Sequence, residues 1–286
     1  RVKKYFIFLL VVICIPFTVY GLSREKVFYV NSNGIEMTEQ EYDNLLSVGF
    51  TEFQIKNMSL SEFNDNKDLH GQVEARVKKY YKTVTNTLTG KVIETREASY
   101  DEFLREKENP TRDMGIITTS WIQMANSIIT ISEYYKRYKS DMFWITMPPV
   151  RSFDTFAIGF NDYEIEIVSS VIPLTIVYTY SDGTDITQTA GYTQKITSKG
   201  AGVSFKLPSE HIVGLSSYMY YNIGKITSSE VTSLISCSDY VHANRTSTLA
   251  RATDYNLDFF GIVRGVSMDG YYNYQNCAQA SWEGSW

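Results

Sequence analysis

The 286-residue chain has little of what reactive chemistry usually needs: three histidines, three cysteines, and no run in which histidine, cysteine or glycine falls at a cofactor-binding spacing. His70, His211 and His242 are too far apart for two of them to share a helical turn, and none precedes a glutamate in the zinc-protease pattern. A nucleophile elbow needs glycine on both sides of its serine; Gly214-Leu215-Ser216-Ser217 starts like one and then reaches Tyr218. Gly200-Ala201-Gly202 lacks the third glycine of a dinucleotide loop, lies among strand-forming residues, and is expected to be a bulge or turn. No cofactor and no metal are expected, and the chain leans away from being an enzyme. Basic charge is also scarce, with 27 Lys and Arg against 32 Asp and Glu. A net negative surface does not attract phosphate backbones, so nucleic acid is not expected as a partner.

Charge is missing altogether from Tyr5 to Val19, an apolar run preceded by Arg1, Lys3 and Lys4 and followed by Val19-Tyr20-Gly21. That is the layout of a secretory signal peptide cleaved near Gly21. The run is shorter than the roughly 20 apolar residues of a membrane span, and Pro16 interrupts it. The mature chain is therefore expected to be secreted, with no stable membrane span, and with 24 basic residues against 32 acidic ones. Cys14 leaves with the signal, so Cys237 and Cys277 remain in an oxidising compartment and predict one disulfide. Closing that loop would contribute about 3 to 4 kcal/mol through the entropy of the unfolded chain.

Residues 22–110 read as a small α+β module built from two degenerate copies of a hairpin feeding a helix. The first copy has Val27 to Val30, a turn at Asn33-Gly34, then Ile35 to Met37; the second has Lys78 to Val84, a turn at Thr89-Gly90, then Lys91 to Ile93. Thr38 with Glu41, Thr51 with Gln54, Ser59 with Glu62, and Ser99 with Glu102 form capping boxes that open helices. Gly49 suits the left-handed end of the first of these. Tyr42, Leu45, Leu46, Phe50, Phe53, Ile55 and Met58 mark a shared buried stripe.

From residue 111 to 286 the chain is rich in Thr, Ser, Val, Ile, Tyr and Phe, which favours half-buried strands. Strands are expected over 116–131, 134–147, 155–160, 164–169, 174–180, 185–196, 202–207, 217–223, 258–266 and 278–282, with a hairpin turn at Asp182-Gly183; in the first two, Trp121, Met124, Ile128 and Tyr135 could also line a helix, and β-branched density favours strands. Short strands without intervening amphipathic helices predict a mainly β fold, an antiparallel β-sandwich or jelly roll.

Three function classes follow. A noncatalytic extracellular binding or adhesion module would recognise a glycan or a cell-surface protein through exposed tyrosines, for which Tyr218, Tyr220, Tyr271, Tyr272 and Tyr274 are the candidates. Ordinary sandwich packing also accounts for them. A secreted hydrolase would use carboxylates brought from distant segments, with Asp154, Glu164 and Glu166 in or beside strands; a solvent-facing edge explains the two glutamates as well. A pore former would unfurl a Ser/Thr-rich hairpin such as Thr184 to Ser204, although its apolar face is thin. Oligomeric state is not fixed by any of these features.

Several short segments also carry a likeness: Asn33-Gly34-Ile35-Glu36-Met37-Thr38 through Tyr42, Gly49-Phe50-Thr51, Met58-Ser59, Glu62-Phe63, Arg151-Ser152-Phe153-Asp154, Ser238-Asp239-Tyr240-Val241-His242-Ala243, and Ser281 to Trp286. In these the chain resembles a group of uncharacterised exported proteins of low-GC Gram-positive bacteria with no assigned activity. The resemblance implies export and the two-part layout, and nothing about chemistry.

Overall fold

The computed structural model describes residues 26–108, 116–160, 162–188, 192–208, 211–243, 256–257, 266–267 and 272–286. The expected signal peptide and its cleavage site lie outside them. Two short strands, β1 (Tyr29–Val30) and β2 (Glu36–Met37), precede three short helices, α1 (Glu39–Ser47), α2 (Glu52–Asn57) and α3 (Leu60–Asn66). Then come β3 (Gln72–Asn86), β4 (Val92–Ala98), α4 (Tyr100–Glu108), β5 (Ile117–Thr130), β6 (Tyr135–Thr146), β7 (Phe153–Phe160), β8 (Ile165–Ile167), β9 (Leu174–Tyr180) and β10 (Asp185–Thr187). The chain continues through β11 (Tyr192–Thr197), β12 (Gly200–Lys206), β13 (Ile212–Lys225), β14 (Ser233–Ala243), β15 (Asn256–Leu257), β16 (Val266–Ser267) and β17 (Tyr272–Glu283).

The fold is an antiparallel β-sandwich. One sheet runs β10-β9-β13-β6-β5-β3-β4, with β8 on β13; the other runs β11-β12-β7-β14-β17. Alternation along each strand sends one set of side chains between the sheets. Ile122, Met142, Trp144, Met219 and Tyr221 from the larger sheet meet Phe156, Ile158, Val203, Phe205 and Tyr240 from the smaller one in a single core. The hairpin expected in the N-terminal module, β3 with β4, belongs to the larger sheet: β3 pairs with β5 from Gln72↔Thr130 to Asn86↔Ile117. Hydrogen bonding therefore runs across the boundary expected near residue 110.

The helices form a third layer on the outer face of that sheet. Leu45, Phe50, Ile55, Met58 and Phe63 pack with Tyr218 and Tyr220 of β13 in a second, smaller core. Further along, α4 covers β3 and β5, with Phe103 edge-on to Trp121 at 5.4 Å between ring centroids. The capping boxes of α1, α2 and α3 form in full. At α4 only half of the box forms. The Ser99 hydroxyl accepts from the Glu102 backbone N–H at 3.1 Å, but the Glu102 carboxylate turns to the Arg96 guanidinium, where a bidentate charged pair is stronger than a bond to one amide.

The Asn33-Gly34 turn departs from the expected two-residue form, because Gly34 takes a positive φ of 75° while Asn33 does not. Asn31 organises it instead, its side-chain oxygen accepting from the N–H groups of Asn33 at 2.9 Å and Ile35 at 3.0 Å. At the end of α1, Gly49 adopts φ 83° as expected, the Phe50 N–H reaches the Leu45 carbonyl at 3.1 Å, and the Gly49 N–H reaches that of Leu46 at 3.0 Å. This pair of bonds is the Schellman motif. A Cβ at Gly49 would meet nothing closer than Ile129 at 3.4 Å, so the cost of Gly49→Ala lies in the backbone. We expect a loss of about 1–2 kcal/mol in urea unfolding; an unchanged midpoint would show that α1 can end without the left-handed residue.

The segment expected as one strand over 185–196 divides between the sheets, with β10 pairing β9 and β11 pairing β12. Within Thr184 to Ser204, β11 and β12 form a hairpin at the edge of the smaller sheet, while β10 pairs with β9 at the edge of the larger one. Residues 258–265 of the strand expected over 258–266 lie outside the described residues. β14, between β7 and β17 in the smaller sheet, is a strand that the sequence pattern did not announce.

Candidate functional site

β6 alternates Tyr138, Met142 and Trp144 into the main core with Arg137, Lys139 and Asp141 on the other face. Directly opposite on β13 stand Asn222, Tyr220 and Tyr218. A charged stripe in the middle of a covered sheet is stable only if each group finds a partner. The helices supply those partners through residues that already close their own N-termini. The Gln54 oxygen accepts from the Thr51 N–H at 3.0 Å and from the Lys139 ammonium at 3.0 Å, while its amide nitrogen donates to Asp141. Lys139 is fully buried, pairs with Asp141, and lies 5.1 Å from the Phe50 ring centroid and 5.4 Å from that of Tyr218. Burial pushes its ammonium below the usual lysine range, and Asp141 opposes that shift. The Glu62 carboxylate likewise accepts from Ser59, from the Thr175 hydroxyl and, at 3.0 Å, from the Tyr218 hydroxyl.

Arg137 is held differently. Its Nε donates to Asn222 Oδ1 at 2.9 Å, one terminal nitrogen donates to Asn66 Oδ1, and its guanidinium carbon lies 4.5 Å from the Tyr220 ring centroid. Asn66 in turn donates to the Tyr220 hydroxyl at 2.8 Å. All of these partners are neutral, and no carboxylate lies within ion-pair distance of Arg137 among the described residues. Burial lowers its pKa to about 10. A shift of that size is worth on the order of 3 kcal/mol against the cation. Burial also pushes the Tyr220 hydroxyl up to about 12.

Arg137 forms part of the floor of a groove of about 790 Å³ between α3 and the segment joining β8 to β9. Its walls carry hydroxyl and amide groups, among them Ser59, Ser61, Ser169, Ser170, Thr187 and Gln194, with Glu62 and Asp65 on the α3 side. Val171, Ile172, Pro173 and Leu174 add an apolar wall, so this lining matches a ligand that combines hydrogen-bonding groups with apolar surface.

Tyr218 and Tyr220, candidates for stacking that ordinary sandwich packing also explains, are 1% and 3% exposed, because the helical layer covers their face of β13. Tyr220 still lines the groove. Tyr271 lies outside the described residues, as do the side chains of Tyr272 and Tyr274 on β17. Cys237 on β14 stands opposite Gln279, and Cys277 on β17 stands opposite Asp239. The two cysteines are therefore one diagonal step apart, where Cα atoms lie about 7–8 Å from each other, while a disulfide needs about 4.4–6.8 Å. No disulfide is formed among the described residues, and the Cys277 side chain lies outside them.

Of the carboxylates considered for hydrolysis, Asp154 is sealed in the main core and Glu166 is exposed, so the two do not share a cleft. Asp154 anchors a second polar network. It accepts from the Tyr240 hydroxyl, from the Ala243 N–H at 3.1 Å, and bonds His242 Nδ1 at 2.7 Å; the Trp144 indole N–H donates to the Tyr240 hydroxyl at 2.8 Å. His70 and His211 are exposed and apart from it.

Of the groove's residues, Tyr220 is a candidate in the sequence and Arg137 is not. The signal was Arg137, Lys139 and Asp141 at a period of two within a strand, which by itself describes a solvated face as well as a covered one.

No family model matches the chain, and no curated protein matches it. Among solved structures it is similar to the Streptococcus pneumoniae pilus backbone protein, at 7% identity and TM-score 0.29, over 40% of this chain and 26% of that one. It thus spans about a quarter of that protein's length. It is also similar to the collagen-binding subdomain of the Enterococcus faecalis surface protein ACE, at 7% identity and TM-score 0.32, over 54% of this chain and 90% of that one. The third is the C-terminal domain of the Streptococcus agalactiae AgI/II polypeptide BspA, at 8% identity and TM-score 0.31, over 75% of this chain and 80% of that one. All three are proteins of Gram-positive bacteria, and among the described residues no helix of the present chain is long and apolar enough to cross a membrane.

Proposed function

We propose that the mature chain is a noncatalytic extracellular adhesion module that takes an extended segment of a cell-surface or matrix protein into the groove between α3 and the larger sheet. The carrying observation is the groove itself: about 790 Å³, open to solvent, and walled by hydroxyl and amide groups together with the apolar run Val171 to Leu174, on α3, β13 and the segment joining β8 to β9. That volume falls within the roughly 300–1,000 Å³ of ligand sites, and the lining suits the alternating N–H and C=O groups of a peptide. The charge-free run from Tyr5 to Val19 behind Arg1, Lys3 and Lys4 supplies the route to the outside.

The test is surface plasmon resonance of the mature chain against immobilised matrix and bacterial surface proteins. Saturable binding is expected to at least one of them, and Ser170→Trp, which fills the groove from its exposed rim, is expected to weaken it at least about tenfold. Binding that survives Ser170→Trp unchanged would remove the groove from the reading, and a flat response across the panel would remove adhesion.

A further inference from the structure

Resting on the groove reading above, we infer that Arg137 is a receptor for a carboxylate, so that the preferred ligand is a peptide segment presenting a glutamate or aspartate side chain to the groove floor. The argument begins with what Arg137 lacks. A buried guanidinium is normally matched by a carboxylate, because removing the charge from water is repaid only by an opposite charge in good geometry. Here two of its nitrogens are engaged by the amide oxygens of Asn66 and Asn222, which fix its plane without neutralising it. Its second terminal nitrogen makes no hydrogen bond among the described residues, and Arg137 lines the groove while being only 4% exposed. The depressed pKa is the same deficit seen from the proton's side.

The neighbouring acids do not fill the vacancy. Glu62 is committed to Ser59, Thr175 and Tyr218, and Asp65, which also lines the groove, acts on Arg137 through its charge without forming an ion pair. Asp65 adds selectivity instead: a ligand carboxylate flanked by further acids would be repelled there, and one flanked by neutral or basic residues would not. A peptide fits better than a sugar. The one aromatic ring in the lining, Tyr220, already lies against the guanidinium and has its hydroxyl bonded by Asn66, so no free ring remains to stack on a pyranose.

The experiment follows the Arg137 Nε–H resonance in a ¹⁵N-labelled mature chain while three probes are added: an acetylated, amidated Gly-Ser-Glu-Gly-Ser peptide, the same peptide with glutamine for glutamate, and free glucuronate. The glutamate peptide is expected to shift that resonance and to bind at least about tenfold more tightly than the glutamine peptide. Arg137→Met is expected to abolish the difference between the peptides. Arg137→Lys, which keeps the charge and loses the planar fork, is expected to retain a weaker preference. Native amide dispersion in each variant separates loss of binding from loss of fold.

Equal affinity for the two peptides, a preference that survives Arg137→Met, a response to glucuronate alone, or a silent Arg137 resonance with every probe would each overturn the inference. If the glutamate peptide binds while no surface or matrix protein does, the carboxylate site stands and the adhesion reading fails. If a protein partner binds while the Arg137 resonance ignores carboxylate, the converse holds.

Discussion

Asp154→Asn is expected to lower the unfolding free energy by on the order of 2–5 kcal/mol, a large share of the roughly 5–15 kcal/mol that holds a domain together. Asp154 lies in β7 with no exposure and receives donors from three points of β14: the Tyr240 hydroxyl, His242 Nδ1 and the Ala243 N–H. A carboxylate offers two acceptor oxygens to them. An amide offers one oxygen and two donors, so at least one of these groups faces a donor with no room for water to intervene. The disturbance spreads to Trp144, whose indole N–H is bonded to the same Tyr240 hydroxyl at 2.8 Å and whose ring lies edge-on to His242 at 5.5 Å. Urea unfolding followed by tryptophan fluorescence reports both the loss of stability and the changed surroundings of Trp144. A variant within about 0.5 kcal/mol of the parent would show that β7 and β14 are held by packing and backbone bonds, and that the network is incidental.

The second large effect belongs to the layer beneath the helices. Asp141→Asn leaves the fully buried Lys139 ammonium without an opposing charge, with only neutral amide oxygens beside it, and takes from Arg76 an ion pair at 3.6 Å. Removing one member of a buried pair costs about 3–5 kcal/mol, most of it from the charge left behind. Adding Lys139→Met to Asp141→Asn is therefore expected to recover most of the loss, giving a coupling energy of at least about 2 kcal/mol in the double-mutant cycle. Additive losses would mean that the two side chains act independently. The pH dependence has a definite sign. Lys139 has a lowered pKa in the fold, so between that value and the ordinary lysine value the unfolded chain holds more protons than the folded one. The lysine's burial penalty is present in full below its folded pKa and is relieved as pH rises through this window, so stability rises there. In Asp141→Asn the opposing influence is gone, and the rise should start at lower pH.

These two networks show what local pattern reveals and what it conceals. The strands β7, β9 and β12 announce themselves by alternation, β-branched content and turn residues, β5 and β6 by β-branched density against a competing helical spacing, and the helices α1 to α3 by capping boxes followed by an apolar stripe. β14 stays hidden because Ser236, Ser238 and His242 alternate with Ile235, Cys237 and Val241, and no face is plainly apolar. Its place in the smaller sheet comes from register with β7 and β17 and from the bonds of Tyr240 and His242 to Asp154. Tyr218 and Tyr220 carry a similar ambiguity. Tyrosines on alternate positions describe a face, and only the helices laid over it decide whether that face meets solvent or Phe50.

The sequence by itself determined the antiparallel β-sandwich class and the ends of the first three helices, because these depend on interactions a few residues long: alternation, capping and positive φ at glycine. Tertiary structure alone decided that β3 and β4 extend the larger sheet, that the segment after Asp185 divides between two layers, and that Arg137 is buried without a counter-charge. Those outcomes depend on which surfaces meet across the fold. A charge on a strand carries no mark of its future partner until another element, here α3 with Asn66, is packed against it.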